Sequence, residues 1–235
     1  MSTAIVTGAS QGFGYELATA LARQGWNLVV DARSGTDLAT AAAAIDAFGP
    51  GRVVFVVGDV SDRLHASHLV DAAADLGDFK LLVNNASMLG PSPQPALGDY
   101  PIDILEEVFR VNVLAPISII QLALPHLRAN SGTVVNITSD AAVEPYEGWG
   151  GYGASKAALE QASDVLAAEE PDVMVYWFDP GDMRTRMHQK AFPGEDISDR
   201  PLPETRVPAL IELLERRPPA GRYTAGSLLT EKANA

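Results

Sequence analysis

Tyr152 and Lys156 stand four residues apart in the run Tyr152-Gly153-Ala154-Ser155-Lys156, a spacing that on a helix puts a phenol and an amine on one face. A phenol near its reference pKa of about 10 is a poor acid at neutral pH, and a neighbouring ammonium favours the phenolate and lowers that value. The pair is equipped for proton transfer, although taken alone such a pair is commonplace and a solvated helix face is the plainer reading. Ser139, thirteen residues before Tyr152, follows a β-branched run and brings a hydroxyl that can polarise an oxygen; a serine capping a turn is the plainer reading. Asn112 lies in a long apolar stretch, where an amide is tolerated only if hydrogen-bonded, in a core or in a site. The run Thr7-Gly8-Ala9-Ser10-Gln11-Gly12-Phe13-Gly14 follows an apolar segment and precedes a helical one. Glycines there let the backbone turn sharply and approach a pyrophosphate, whose charge sits on the free N–H groups of the helix N-terminus.

These groups need a scaffold. Short β-branched runs at 4–6, 28–30, 53–57, 81–83, 133–137 and 173–178 alternate with stretches predicted as helices at 15–24, 37–48, 64–76, 102–128, 155–168 and 204–216. The runs are apolar without two-residue alternation, as in strands covered on both faces. The predicted class is α/β, a doubly wound parallel sheet of the Rossmann type in three layers, α/β/α. Ligands of such sheets bind beyond the carboxyl ends of the strands, where Ser139 and the glycine loop both fall. One domain is expected over 1–235, with the Pro-, Gly- and charge-rich stretch 187–203 as a lid.

Composition narrows the chemistry. Seventeen Lys and Arg against thirty Asp and Glu give a net charge of −13, which repels nucleic acid and anionic membrane surfaces. With no cysteine, thiolate catalysis and disulfides are excluded. His65 and His68 are expected on a solvated helix face, and no metal is expected. Residues 111–127 read as a buried helix that falls short of a membrane span. The start of the chain lacks the basic and long apolar regions of an export signal, so a cytoplasmic protein is expected.

Taken together, the motifs resemble the short-chain dehydrogenases/reductases. Thr7 to Gly14 match that family's Thr-Gly-x-x-x-Gly-x-Gly, and Asn112, Ser139, Tyr152 and Lys156 match its catalytic set, with Ser thirteen before Tyr and Lys four after it. The resemblance implies Tyr152 as acid in reduction and base in oxidation, and Ser139 on the substrate oxygen. It further implies that Lys156 holds the nicotinamide ribose and depresses the Tyr152 pKa, while Asn112 anchors a relay water. By the same resemblance Gly8, Ser10, Gln11, Gly12, Phe13 and Gly14 cradle the dinucleotide, Asp59 and Val60 meet the adenine, and Asn85 and Ala86 lie beneath the cofactor. Pro180, Gly181 and Thr185 would flank the nicotinamide. Two departures stand out: Ser87 replaces a glycine, and Gly221-Arg222-Tyr223-Thr224-Ala225-Gly226 replaces Val-Asp-Gly-Gly, which leaves the last strand open.

Asp31 invites an NAD reading through the ribose 2′-hydroxyl. Counting eighteen residues from Gly14 instead places the family's ribose-sensing position on Ala32, with Asp31 on the opposite face. Arg33, next in line, suits a 2′-phosphate, so NADP(H) is expected over NAD(H). Tyr146, Trp149 and Met187 flank the expected substrate cleft and suit a small apolar or aromatic carbonyl compound. The expectation is a carbonyl reductase or alcohol dehydrogenase, homodimeric or homotetrameric through helices 102–128 and 155–168. The competing reading is a catalytically silent regulator that binds the dinucleotide.

Overall fold

Alternating residues along the strands feed two separate cores. The computed structural model describes residues 1–233. Its strands are β1 (Thr3–Val6), β2 (Asn27–Ala32), β3 (Val53–Val57), β4 (Phe79–Asn84), β5 (Thr133–Ile137), β6 (Met174–Asp179) and β7 (Gly221–Thr224). All pair in parallel, in the order β3-β2-β1-β4-β5-β6-β7. The helices are α1 (Gly12–Arg23), α2 (Gly35–Asp46), α3 (Arg63–Leu76), α4 (Ile102–Phe109), α5 (Ala115–Ala129), α6 (Gly150–Glu169), α7 (Arg186–Ala191), α8 (Val207–Arg216) and α9 (Ala225–Ala233). Val6, Val30, Val83 and Phe178 pack with Leu17, Leu38 and Leu210 of α1, α2 and α8. Ile5, Val29, Leu82, Val134 and Val175 face the other way, onto Leu69 and Leu127 of α3 and α5. This is the doubly wound α/β/α sandwich, and its strand order reverses between β1 and β4, where such sheets open a crevice.

The differences from the sequence expectations have local causes. β3 is an edge strand, so Phe55 and Val57 are half exposed rather than covered on both faces. The open question of the last strand resolves as β7, which sets Arg222 beside Trp177 of β6. The predicted helix 102–128 is interrupted by a π turn, Arg110–Leu114, in which the Ala115 N–H reaches back to the Arg110 carbonyl. Through that turn, Ile102–Ala129 is long and apolar enough to span a bilayer by length and composition, contrary to the expectation; Ile119, Ile120, Ala123 and Leu127 bury its inner face under the sheet. Helix α6 begins five residues earlier than predicted, at Gly150. Its glycines read as breakers on propensity, but a side chain at Gly153 would collide with the Ala141 carbonyl, so close packing decides. The stretch 187–203 is partly helical, with α7 at its start, and an Arg184 N–H to Pro201 carbonyl bond of 2.8 Å draws its ends together.

Candidate active site

Beyond the carboxyl ends of β1 and β4 lies a cleft of about 660 Å³, a size typical of small-molecule sites. Its floor is stitched from two loops. The Thr7 hydroxyl accepts the N–H groups of Asn85 (2.9 Å) and Ala86 (3.0 Å), and the Asn85 amide donates to the Thr7 carbonyl (2.8 Å). Gly8 has φ +66°, and a Cβ there would lie 2.9 Å from the Ala86 Cα, so only glycine permits this approach. Ser10, Gln11, Gly12 and Phe13 line the cleft, while Gly14 is buried against the Asn85 amide. No side chain caps the N-terminus of α1, which leaves its orphan N–H groups for an anion.

Asp31 is turned inward. Its Oδ1 accepts the Gly8 N–H at 2.7 Å and its Oδ2 meets His65 Nε2 at 2.9 Å. His65 is therefore not a solvated residue: only 5% exposed, it braces the carboxylate that braces the glycine loop, whereas His68 is exposed as expected. Arg33 is exposed at the lip of the cleft. Next to it, burial opposes ionisation of Asp59, but the Ser61 N–H and hydroxyl (2.9 and 2.7 Å) and the charge of Arg33 hold its carboxyl below the usual range. Val60, Ala86, Pro180, Gly181, Thr185 and Met187 complete this wall. A glycine cradle, an uncapped helix terminus and a free guanidinium fit a nicotinamide dinucleotide, an elongated polyanion.

At the other end of the cleft, Ser139, Tyr152 and Lys156 come together from the end of β5 and the first turns of α6. The Ser139 hydroxyl donates to Asp140 at 2.9 Å. Lys156 is 2% exposed; its Nζ donates to the Ile137 carbonyl at 2.8 Å and lies 5.5 Å from the centre of the Tyr152 ring. Burial draws this amine down to about 8 against the pull of Glu160. Burial likewise pushes the Tyr152 phenol up to about 12; the Ser87 hydroxyl pulls the other way, and the charges of Asp179 and Asp140 add to the rise. Desolvation is thus the largest influence on the phenol, opposite in direction to the depression expected from Lys156.

Asn112 lies behind the cleft wall, fully buried in the π turn. Its amide donates to the Met88 carbonyl (2.8 Å) and the Ser155 hydroxyl (2.9 Å), and its oxygen accepts the Met88 N–H (2.7 Å) and the Ser87 hydroxyl (3.1 Å). Its side chain is saturated, and it fixes the loop after β4 against α6. Trp149 lines the cleft, edge-on to Tyr152 with ring centres 5.9 Å apart. Tyr146 stands outside the wall, hydrogen-bonded to Asp140 at 3.0 Å. Sequence reasoning missed His188, which is buried in the wall on α7 with its ring 4.8 Å from Phe192. It also missed Arg222, which reaches the site from β7. A histidine three residues past Thr185 was the one available signal for the first; the second had none.

The model of the short chain dehydrogenases matches residues 2–196. A benzil reductase of Saccharomyces cerevisiae that forms (S)-benzoin is 30% identical over 98% of this chain and 86% of its own length. The sepiapterin reductase of Bos taurus is 36% identical, over 80% of this chain and 74% of the enzyme. Among solved structures, an alcohol dehydrogenase of the archaeon Thermococcus sibiricus complexed with 5-hydroxy-NADP superposes with a TM-score of 0.85 at 26% identity, covering 95% of both chains. A Shigella flexneri 2a protein complexed with NADP gives 0.88 at 27% identity, covering 96% of this chain and 97% of that one. With its motifs, strand order and cleft in agreement, this chain belongs to the short-chain dehydrogenase/reductase family of oxidoreductases.

Proposed function

We propose that this protein reduces a ketone or aldehyde on a small apolar or aromatic molecule to the alcohol, with NADPH as the preferred reductant. The observation that carries the reading is the convergence of Ser139, Tyr152 and Lys156 on the cleft that the glycine loop opens. A bound nicotinamide dinucleotide supplies the hydride. Gly8 to Phe13 and the N-terminus of α1 hold its pyrophosphate, Arg33 its 2′-phosphate, Asp59, Val60, Asn85 and Ala86 its adenosine side, and Pro180, Gly181 and Thr185 its nicotinamide end. Ser139 turns its hydroxyl from Asp140 to the substrate oxygen and polarises the carbonyl. Tyr152 gives its phenolic proton to that oxygen as the carbonyl carbon becomes tetrahedral. Lys156, as the ammonium, binds ribose hydroxyls and stabilises the phenolate that remains.

Preference for NADP rests on the inward bonding of Asp31, which leaves Arg33 as the group at the lip, and is in keeping with the NADP found in the similar structures. The aromatic side of the substrate is supported by Trp149 and Met187 in the wall and by the aryl diketone that the yeast relative is named for. The exposed apolar side chains Ile102, Leu114 and Val165 on α4 to α6 suit pairing of copies into a dimer or tetramer, and residues 187–203 suit a lid.

Quenching of tryptophan fluorescence by NADPH and by NADH, followed by turnover with benzil and other aryl ketones, tests the reading. NADPH is expected to bind more tightly, and Tyr152→Phe to lose at least ~100-fold in turnover while binding NADPH as before. Failure to bind either nucleotide would overturn it.

A further inference from the structure

Arg222 lies outside the segment that matches the family model, which ends at residue 196, and in the stretch where the sequence departs from the family's usual C-terminal motif. Yet it is tied to every element that carries the reacting groups. Its Nε donates to Glu160 Oε1 on α6 at 3.0 Å, and its Nη2 donates to Asp179 Oδ2 at the end of β6 (3.1 Å) and to the Ser139 carbonyl (3.3 Å). The acceptors are themselves engaged. Glu160 Oε1 also accepts the Thr138 hydroxyl at 2.7 Å, and Asp179 Oδ1 accepts the Gly181 N–H at 2.8 Å. The Asp179 and Glu160 side chains are only 8% and 13% exposed, a depth at which a guanidinium fork holds carboxylates far better than at a surface.

We propose that Arg222 is a positioning residue for catalysis, resting on the oxidoreductase reading above. Its guanidinium locks the Ser139 backbone, the Asp179–Gly181 turn and the helix of Tyr152 and Lys156 into one frame, and it offsets Asp179 so that only part of this buried charge acts on Tyr152. The phenol is faced by Lys156 from its own helix, by Asp140 from the turn after β5, by Asp179 from β6, by the Ser87 hydroxyl from the segment after β4 and, across the cleft, by α7 with His188. Of these groups, Asp179 alone is balanced by Arg222. Loss of the guanidinium leaves two largely buried carboxylates that repel each other, loosens the Ser139 carbonyl, and sets an uncompensated negative charge toward the phenol.

The test compares the wild type with Arg222→Lys, Arg222→Met and the double variant Arg222→Met/Asp179→Asn. For each, NADPH affinity is read by energy transfer from tryptophan, kcat and KM by reduction of benzil, and the pH dependence by oxidation of benzoin. Arg222→Met is expected to lower kcat about 10-fold or more with NADPH affinity changed by less than about 3-fold. Its oxidation profile, which needs the phenolate, moves to higher pH by about one unit. Arg222→Lys falls between, because an ammonium cannot reproduce the fork. The double variant, with no bare charge toward the phenol, returns the profile to or below its wild-type midpoint, and both variants keep the test decisive where Arg222→Met fails to fold. Wild-type kcat and pH profile in Arg222→Met, or a double variant no different in midpoint from the single one, would overturn the proposal. A wild type that binds NADPH but turns over no carbonyl defeats the proposed function instead; the tyrosine ring resonance lost in Tyr152→Phe then decides, since Arg222→Met must raise its titration and an unmoved resonance refutes the positioning role.

Discussion

Two buried polar clusters flank the same cleft, and they are built on opposite principles. At the β1–β3 side, Asp31 meets Gly8 and His65, and Thr7 meets Asn85 and Ala86; each of these groups has its partner within the fold. At the β5–β6 side, Lys156 gives one hydrogen bond from three donors and both it and Tyr152 have their charged forms penalised by burial. A satisfied network rigidifies a structure, whereas an under-satisfied one costs stability and is retained where it acts. The cradle is therefore part of what holds the protein together, and the end proposed to react is held in place at the expense of stability.

Lys156→Met gives the sharpest test of that contrast. The folded-state value of this amine is lowered from 10.5 to about 8, so between those values the unfolded chain binds more protons and stability rises with pH; below about pH 8 the full penalty is present, on the order of 3 kcal/mol. Without added nucleotide at pH 7, Lys156→Met should melt at a higher temperature than wild type, with the difference fading between pH 8 and 10.5, while turnover falls at least ~100-fold. A lower Tm in the variant would erase the distinction between the clusters.

Asp31→Ala should do the reverse. It strips the acceptor from the Gly8 N–H and from His65, for a loss of about 2–3 kcal/mol in urea unfolding together with weaker NADPH binding. Stability equal to wild type would mean that the cradle is not self-supporting. The smallest expected effect is at the exposed lip: Arg33→Ala should raise the KM for NADPH about 10-fold and leave that for NADH nearly unchanged, with no change in Tm. Equal effects on both nucleotides would remove Arg33 from phosphate recognition.

Local pattern exposed much of this architecture in the sequence. The glycine loop between β1 and α1 is contiguous, as are the Tyr152–Lys156 pair and the end of β5 at Ser139, and each is read from neighbours in the chain. What stayed hidden depends on distant partners. His65 lies on the inward stripe of Ala66, Leu69, Val70 and Ala73, but the carboxylate that makes burial of its ring tolerable is Asp31, thirty-four residues away. The early start of α6 is decided by how closely Gly153 approaches Ala141, which helix propensity does not register. The role of Asn112 as a saturated cross-brace follows from Met88 and Ser155 converging on it, and Arg222 becomes visible only once β7 is laid beside β6.

The π turn at Arg110–Leu114 has a further consequence for how this chain tolerates changes in length. A π turn is a helix carrying one residue too many, and each residue of an α-helix advances the face by about 100°. Val108 before the turn and Ile119, Ile120, Ala123 and Leu127 after it are all buried, so the turn takes up the extra residue without carrying either half of the helix out of the core. Removing one residue from 110–114 would leave a regular helix with both halves in place, but would take away the widened turn from which Asn112 reaches Met88 and Ser155. A one-residue deletion at this point is therefore expected to cost the Asn112 cross-brace while sparing the buried stripe, so the extra residue serves the site and not the core.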